Sequence, residues 1–327
     1  MDRVRLTNKI KKPDPLIVLI ILAVVVAIFL PARGEFAQGF DVATKVAIAL
    51  LFFLYGARLS PREALDGLKH WKLHLIILCF TFVVFPLIGI ALRPLTAFIS
   101  HDLYMGILFL TLVPSTVQSS VAFTSIARGN VAGSIVAASA SNLAGVVLTP
   151  LLVLLLMTGG KGGIHIDAGV FGDIALQLLA PFVLGQLTRR WAKNFAAKRA
   201  TKVVDRGSIA MVVYAAFSKG MVEDIWSTTG VGELLFIVAL SVALVAFMLW
   251  LTRFVPQKLG FNRADTIAIE FCGTKKSLAS GLPMASVIFS GAGLGLLILP
   301  LMIFHQVQLM MCSWLAAKYA RAADAEE

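Results

Sequence analysis

The chain has 327 residues, 58% of them hydrophobic and 14% charged, with a net charge of +11 and a mean hydropathy of +0.87. Soluble domains carry roughly 45–50% apolar and about 25% charged residues, so this composition excludes a soluble globular protein and indicates an all-α polytopic membrane protein. The positive charge does not indicate a nucleic-acid partner, because the basic residues fall in short segments between apolar runs.

In chain order, a basic tail (1–14) leads into a first apolar run. A signal peptide begins the same way, but Pro31-Ala32-Arg33 follows directly and offers no small-residue cleavage site, so the run reads as a span. A crossing takes roughly 17–25 helical residues. Ten candidates follow one another: 15–31, 41–57, 73–92, 103–127, 131–157, 169–188, 208–226, 231–251, 265–289 and 293–317. Lys219, Glu223 and Asp224 shorten the apolar core of the seventh. The Lys and Arg residues test the count. Of 29, 22 fall on one side: in the N-terminal tail, in the loops 58–72, 189–206 and 252–264, at Arg128 and in the C-terminal tail. Four (Arg33, Arg93, Lys161, Lys219) fall on the other, and Lys45, Lys275 and Lys276 lie within spans. That asymmetry predicts a cell-membrane protein with both termini cytoplasmic. Lys45, near the outer end of its span, can snorkel to the interface. The three cysteines (Cys79, Cys272, Cys312) sit in apolar stretches without paired spacing, which indicates neither a disulfide framework nor a metal site.

Ten spans divide into two halves of five. An odd number per half makes the second enter the membrane with opposite polarity, the geometry of inverted repeats. The halves would be 15–157 and 169–317, joined by a glycine-rich extracytoplasmic linker (158–168) and followed by a cytoplasmic tail (318–327). Their fourth members, spans four and nine, are both interrupted. In span four Pro114 precedes Ser115, Thr116, Gln118, Ser119 and Ser120; in span nine Glu270, Lys275 and Lys276 sit among Gly273, Ser277, Ser280, Gly281 and Pro283. Proline removes a helix hydrogen bond and disfavours helical geometry just before it. Ionisable groups at bilayer depth cost at least a few kcal/mol each and face a partner, a cavity or an ion path. Two interrupted spans at matching places point to a midplane transport site.

An oxygen cage for Na⁺ can be assembled from Ser119, Ser120 and Glu270 with Ser134 and Ser139 of span five; serines in membrane helices also bond back to their own helix or pack between helices. For Glu270, Lys275 and Lys276 the alternatives are a buried ion pair across the break, a lysine in a cation position, proton exchange during a transport cycle, or capture of an anionic substrate aided by half-helix termini. In span ten, His305 and Gln308 share a face. No metalloprotease, nucleotide-binding or paired-aspartate motif is present. The expectation is therefore neither an enzyme nor an ATP-driven pump, with no nucleotide and no cofactor beyond Na⁺ as a coupling ion.

Three stretches, LYGARLSPREALDGLKHWKLH, PSTVQSSVAFTSIARGN and EFCGTKKSLASGLPM, resemble the bile acid:sodium symporter superfamily, most closely the branch of the sodium/bile acid cotransporter 7 proteins and their bacterial relatives. The resemblance implies ten helices in two inverted five-helix repeats. Spans one, two, six and seven would form a panel, the others a core, with discontinuous spans four and nine crossing at the midplane. It implies Na⁺ ligands at Ser120, Ser134 and Glu270, and a small organic anion as substrate. The chain departs from that pattern: Val121, Ala138 and Thr81 stand where relatives keep polar ligands, and Thr274-Lys275 replaces a Gln-Asn pair. An ammonium about 4 Å from Na⁺ is repelled by about 4 kcal/mol at an effective dielectric of 20, so coupling to two Na⁺ ions is not expected. Thr274 remains a candidate ion ligand; Pro114, Gln118, Lys275, Lys276, Ser277 and His305 are candidates for substrate binding or charge coupling.

Overall fold

The computed structural model describes residues 15–58, 70–158, 175–198, 200–222, 224, 230–289 and 293–324. The tail 1–14, most of segment 58–72, the linker 158–168 beyond its first residue and the last three residues lie outside the described residues.

Every regular element among the described residues is helical. The first half of the chain holds α1 (Pro15–Phe29), α2 (Gly34–Arg58), α3 (71–91, through a π-helical turn at Phe80–Val84), α4 (His101–Leu112), α5 (Val117–Ile126) and α6 (Val131–Met157). The second holds α7 (175–187, opening with a π-turn), α8 (Arg189–Ala196), α9 (Thr201–Val222), α10 (Val231–Lys258), α11 (Arg263–Gly273), α12 (Leu278–Ile288) and α13 (Leu294–Asp324). Five helices (α2, α3, α6, α10 and α13) are long and apolar enough to cross a membrane, and α4 with α5 qualifies as one span bent by 61°. α1 and α7 are shorter apolar helices. Side chains such as Phe29, Leu155, Leu187 and Met310 are largely exposed, as lipid-facing residues must be.

Polar side chains start several of these helices. The side-chain oxygens of Ser100, Asn130, Asn262 and Ser277 accept from the backbone amides of Leu103, Gly133, Asp265 and Ser280, capping α4, α6, α11 and α12. One segment expected as a loop, 189–206, is instead helical, as α8 and the start of α9. Its basic residues alternate with Trp191 and Phe195, which share a face at i, i+4 and are 75% and 56% exposed, a pattern suited to the membrane interface. Arg58, at the end of α2, secures this segment. Its guanidinium bonds Asp205 Oδ2 at 2.7 Å, Thr201 Oγ at 2.9 Å and Ala196 O at 2.8 Å, so α9 begins earlier than its apolar run.

α1, α2, α7 and α9 pack chiefly on one another, α3–α6 with α10–α13 form a second group, and contacts between the groups run mainly from α9 to α12 and α13. α2 and α7 meet backbone to backbone. A Cβ on Gly56 would run into the carbonyl of Phe182, and one on Gly185 into the carbonyl of Phe53; Gln186 Nε2 then reaches Gly56 O at 2.8 Å. Without a hydrophobic drive between helices in lipid, such close approach supplies the packing. Gly185→Val should therefore destabilise the protein by at least about 1–3 kcal/mol, read as a lower melting midpoint in nanodiscs. Gly39→Ala, in the same pair of helices but in open space, should leave the midpoint unchanged or slightly raised.

Candidate functional site

α4 stops at Leu112 because Pro114 has no amide hydrogen and Val113 is extended, with ψ 155°. The carbonyls freed by the break are buried and must find donors. Each does so. Leu112 O accepts from Thr149 Oγ at 2.9 Å, Pro114 O from the Ser277 amide at 2.8 Å, and Ser115 O from Asn142 Nδ2 at 2.7 Å. Thr111 O and Val113 O accept from Lys276 Nζ at 2.8 and 2.9 Å. α6 lies so close to the break that a Cβ on Gly145 would sit 2.7 Å from Pro114 Cβ.

The second break, between α11 and α12, is bound to the first. Ser115 Oγ donates to Cys272 O at 2.6 Å and Ser120 Oγ to Phe271 O at 3.1 Å. Gln308 of α13 reads the unwound backbone like a complementary strand: its Oε1 accepts from the Lys276 amide, and its Nε2 donates to the Lys276 carbonyl, both at 2.8 Å. Spans four and nine of the sequence reading therefore meet at their breaks.

The two lysines diverge. Lys276 Nζ turns into main-chain oxygens, taking Thr81 O of α3 at 2.9 Å as its third acceptor. Thr81 O is available for a local reason: in the π-turn the Phe85 amide donates to Phe80 O, and the next candidate, Pro86, has no N–H. Lys275 Nζ makes no hydrogen bond among the described residues; it lies 3.8 Å from the ring centre of Phe123 and 5.4 Å from that of Phe271, a cation–π arrangement. Both lysines are fully buried.

Glu270 faces neither lysine. Its two carboxylate oxygens accept from Tyr319 OH at 3.0 Å, and Arg253 donates to the same hydroxyl. This disfavours one of the alternatives above, a buried ion pair across the break: among the described residues the ion pairs are Arg58–Asp205 and His101–Asp102. Glu270 lies in the last turn of α11 and turns toward α13, whereas the lysines lie in the break itself and point back among α3, α4 and α5. Two openings lined by Glu270, Arg253 and Tyr319, of about 560 and 290 Å³, reach this carboxylate, and neither is lined by Ser120 or Ser134.

The remaining candidates fall into two sets. Ser120, Ser134 and Thr274 are buried in the crossing: Ser134 Oγ lies 3.2 Å from Cys272 Sγ and accepts from Thr124 Oγ at 3.3 Å, and Thr274 Oγ lies 2.9 Å from Thr252 Oγ. Gln118, Ser119, Ser277 and His305 instead line a cavity of about 660 Å³, bounded by α2, α7 and α9 on one side and by α5, α6, α12 and α13 on the other. Ser139, offered above as a further ion ligand, also lines it. Arg58, Lys202, Arg206 and Asp205 supply its charged lining, an excess of positive charge. Sequence reading missed this basic rim, because its members were counted as a topology signal. It also missed the Thr81 carbonyl, for which Pro86 was the visible sign.

Helices of broken and unbroken kind around a polar, charged cavity define a multi-pass membrane protein of the transporter class. The chain belongs to the SBF-like CPA transporter family, whose model matches residues 14–321. It is similar to uncharacterized protein PA2026 of Pseudomonas aeruginosa (48% identical, covering 95% of this chain and 94% of that protein). It is also similar to putative symporter YfeH of Escherichia coli (46%; 95% and 94%) and to sodium/bile acid cotransporter 7 of Rattus norvegicus (31%; 82% and 80%). The last two are named as a putative symporter and a cotransporter, a non-enzymatic class.

The Gln308 bridge gives a direct test of the crossing. Gln308→Leu leaves the buried amide of Lys276 without its acceptor and its carbonyl with only the 3.5 Å contact to His305 Nδ1, at about 1–3 kcal/mol for an unsatisfied group. Its melting midpoint should fall clearly, while Gln306→Leu, on a neighbouring face, should stay near the wild type.

Proposed function

We propose that the protein is a secondary active transporter that carries a small organic anion across the cell membrane by alternating access. Ten spans would form two inverted repeats (15–157 and 169–317), with both termini cytoplasmic. α1, α2, α7 and α9 would serve as a panel against which the core, built around the two broken spans, moves. The observation that carries this reading is the 660 Å³ cavity between the two helix groups, with hydroxyls and amides on its core wall and Arg58, Lys202 and Arg206 on its panel wall. Such a lining suits a solute with an apolar body and an anionic end. Arg58 is held by Asp205, which leaves Lys202 and Arg206 as the net positive charge facing the solute.

Without a nucleotide-binding motif the free energy comes from an ion gradient. Sodium is supported by the names of the relatives, and protons by the ionisable residues inside the membrane. Cation/proton exchange is the second reading, favoured by Glu270, a buried carboxylate bordering two openings of its own.

Proteoliposomes with Na⁺ and pH gradients imposed separately, loaded with a panel of labelled organic anions including a bile acid, distinguish these. The proposal expects uptake of at least one anion driven by one gradient. Joint Lys202→Gln and Arg206→Gln substitution should raise the half-saturating concentration several-fold, at about 0.2–1 kcal/mol per partly solvated charge. Cation flux without anion uptake would favour exchange, and the absence of any gradient-driven flux would refute both.

A further inference from the structure

We infer that Lys276 is a tethered cation: its side chain places an ammonium in a main-chain oxygen cage that would otherwise require a free monovalent ion. The inference rests on the transporter reading for its functional consequence only.

The cage is a property of the backbone, set up before the lysine arrives. The π-turn of α3 and Pro86 leave Thr81 O without a helical donor, and the end of α4 at Leu112 does the same for Thr111 O and Val113 O, the Ser115 amide going instead to Ser141 Oγ. The three oxygens converge to within 2.8–2.9 Å of one nitrogen. All three are pure acceptors, so the nitrogen must supply three hydrogens. An ammonium has three N–H groups and a neutral amine only two. No carboxylate lies within ion-pairing distance of this nitrogen among the described residues. The charge is met by carbonyl dipoles, two of them at the C-terminal end of α4, where a helix favours cations. Phe85 closes another side, with its ring centre 4.2 Å from Nζ. Converging carbonyls without a carboxylate are the chemistry by which channels hold monovalent cations.

The tether adds what a dissolved ion lacks. Lys276 belongs to the α11–α12 break and its oxygens to α3 and α4, so the charge fastens the second broken span to the first. The consequence for transport is that this position contributes no free ion to the stoichiometry: its cation is covalently attached and stays when solute leaves.

Removing the side chain should turn the cage into a site for a small added cation. The test compares melting midpoints of wild type, Lys276→Ala and Lys276→Met in nanodiscs, in chloride salts of N-methyl-D-glucamine, ethylammonium and sodium. Lys276→Ala should melt several degrees below wild type in N-methyl-D-glucamine and regain most of the loss in ethylammonium or sodium. Lys276→Met, which fills the channel of the stem without a charge, should melt low in all three. The idea is overturned if Lys276→Ala responds to neither small cation, or if wild type and Lys276→Met gain as much from them as Lys276→Ala does. Should Lys276→Ala not be recovered in ordinary buffer, purification in ethylammonium is the second measurement, and failure there also overturns it. These melts are independent of solute uptake, so a failed rescue leaves the transporter proposal standing and a failed uptake assay leaves the cage standing.

Discussion

A helix that stops half-way across a membrane strands its last carbonyls where no water can reach them, and this constraint organises the centre of the protein. Each unsatisfied group costs several kcal/mol in a hydrocarbon setting, so the break at Pro114 survives only because four donor groups, from α6 and from the α11–α12 break, are fixed in place. Thr149 and Asn142 of α6, the Ser277 amide and the Lys276 ammonium take the carbonyls of residues 111 to 115 among them. The break at residues 273–277 is met from the other direction, by Ser115, Ser120 and Gln308. Neither broken span is tolerable without the other, which makes the crossing a single unit rather than two flexible hinges.

That unit sets the geometry of everything around it. The glycine at 145 exists where Pro114 must come close, and the cavity lies against the side of the crossing that α9 and α2 face. Its polar core wall is made from the side chains of the same short stretches, Gln118 and Ser119 after one break and Ser277 at the other. The panel wall owes its charge to a different part of the chain, the end of α2 and the start of α9. Under the proposed function, a solute between them would touch two helix groups that meet mainly through α9, as alternating access requires of its site.

Much of this was legible in the residues. Composition and the run of apolar segments indicate a polytopic helical protein, and Pro114 and the charged stretch after Gly273 mark the breaks, because backbone chemistry is local. Side-chain direction is not local. Glu270 and Lys275 are five residues apart, and an ion pair is one of the readings their spacing allows, but the break turns the backbone between them and gives Glu270 to Tyr319 of α13, 49 positions away. Ser134 reads as an ion ligand and is found beside Cys272. Segment 189–206 reads as a loop because its charges serve the topology count, whereas Arg58 supplies the partners that let it be helical. Lys276 reads as one of two equivalent lysines; only the coincidence of a π-turn in α3 and the break that ends α4 selects it for the oxygen cage.

Hydrogen–deuterium exchange of the protein in nanodiscs tests most directly whether the crossing is closed by the chain's own groups. Peptides covering residues 112–118 and 273–279 should exchange among the slowest in the molecule, and at the same rate in sodium as in N-methyl-D-glucamine. Exchange in both as fast as at exposed helix ends, or slow exchange seen in sodium alone, would contradict this account of the site.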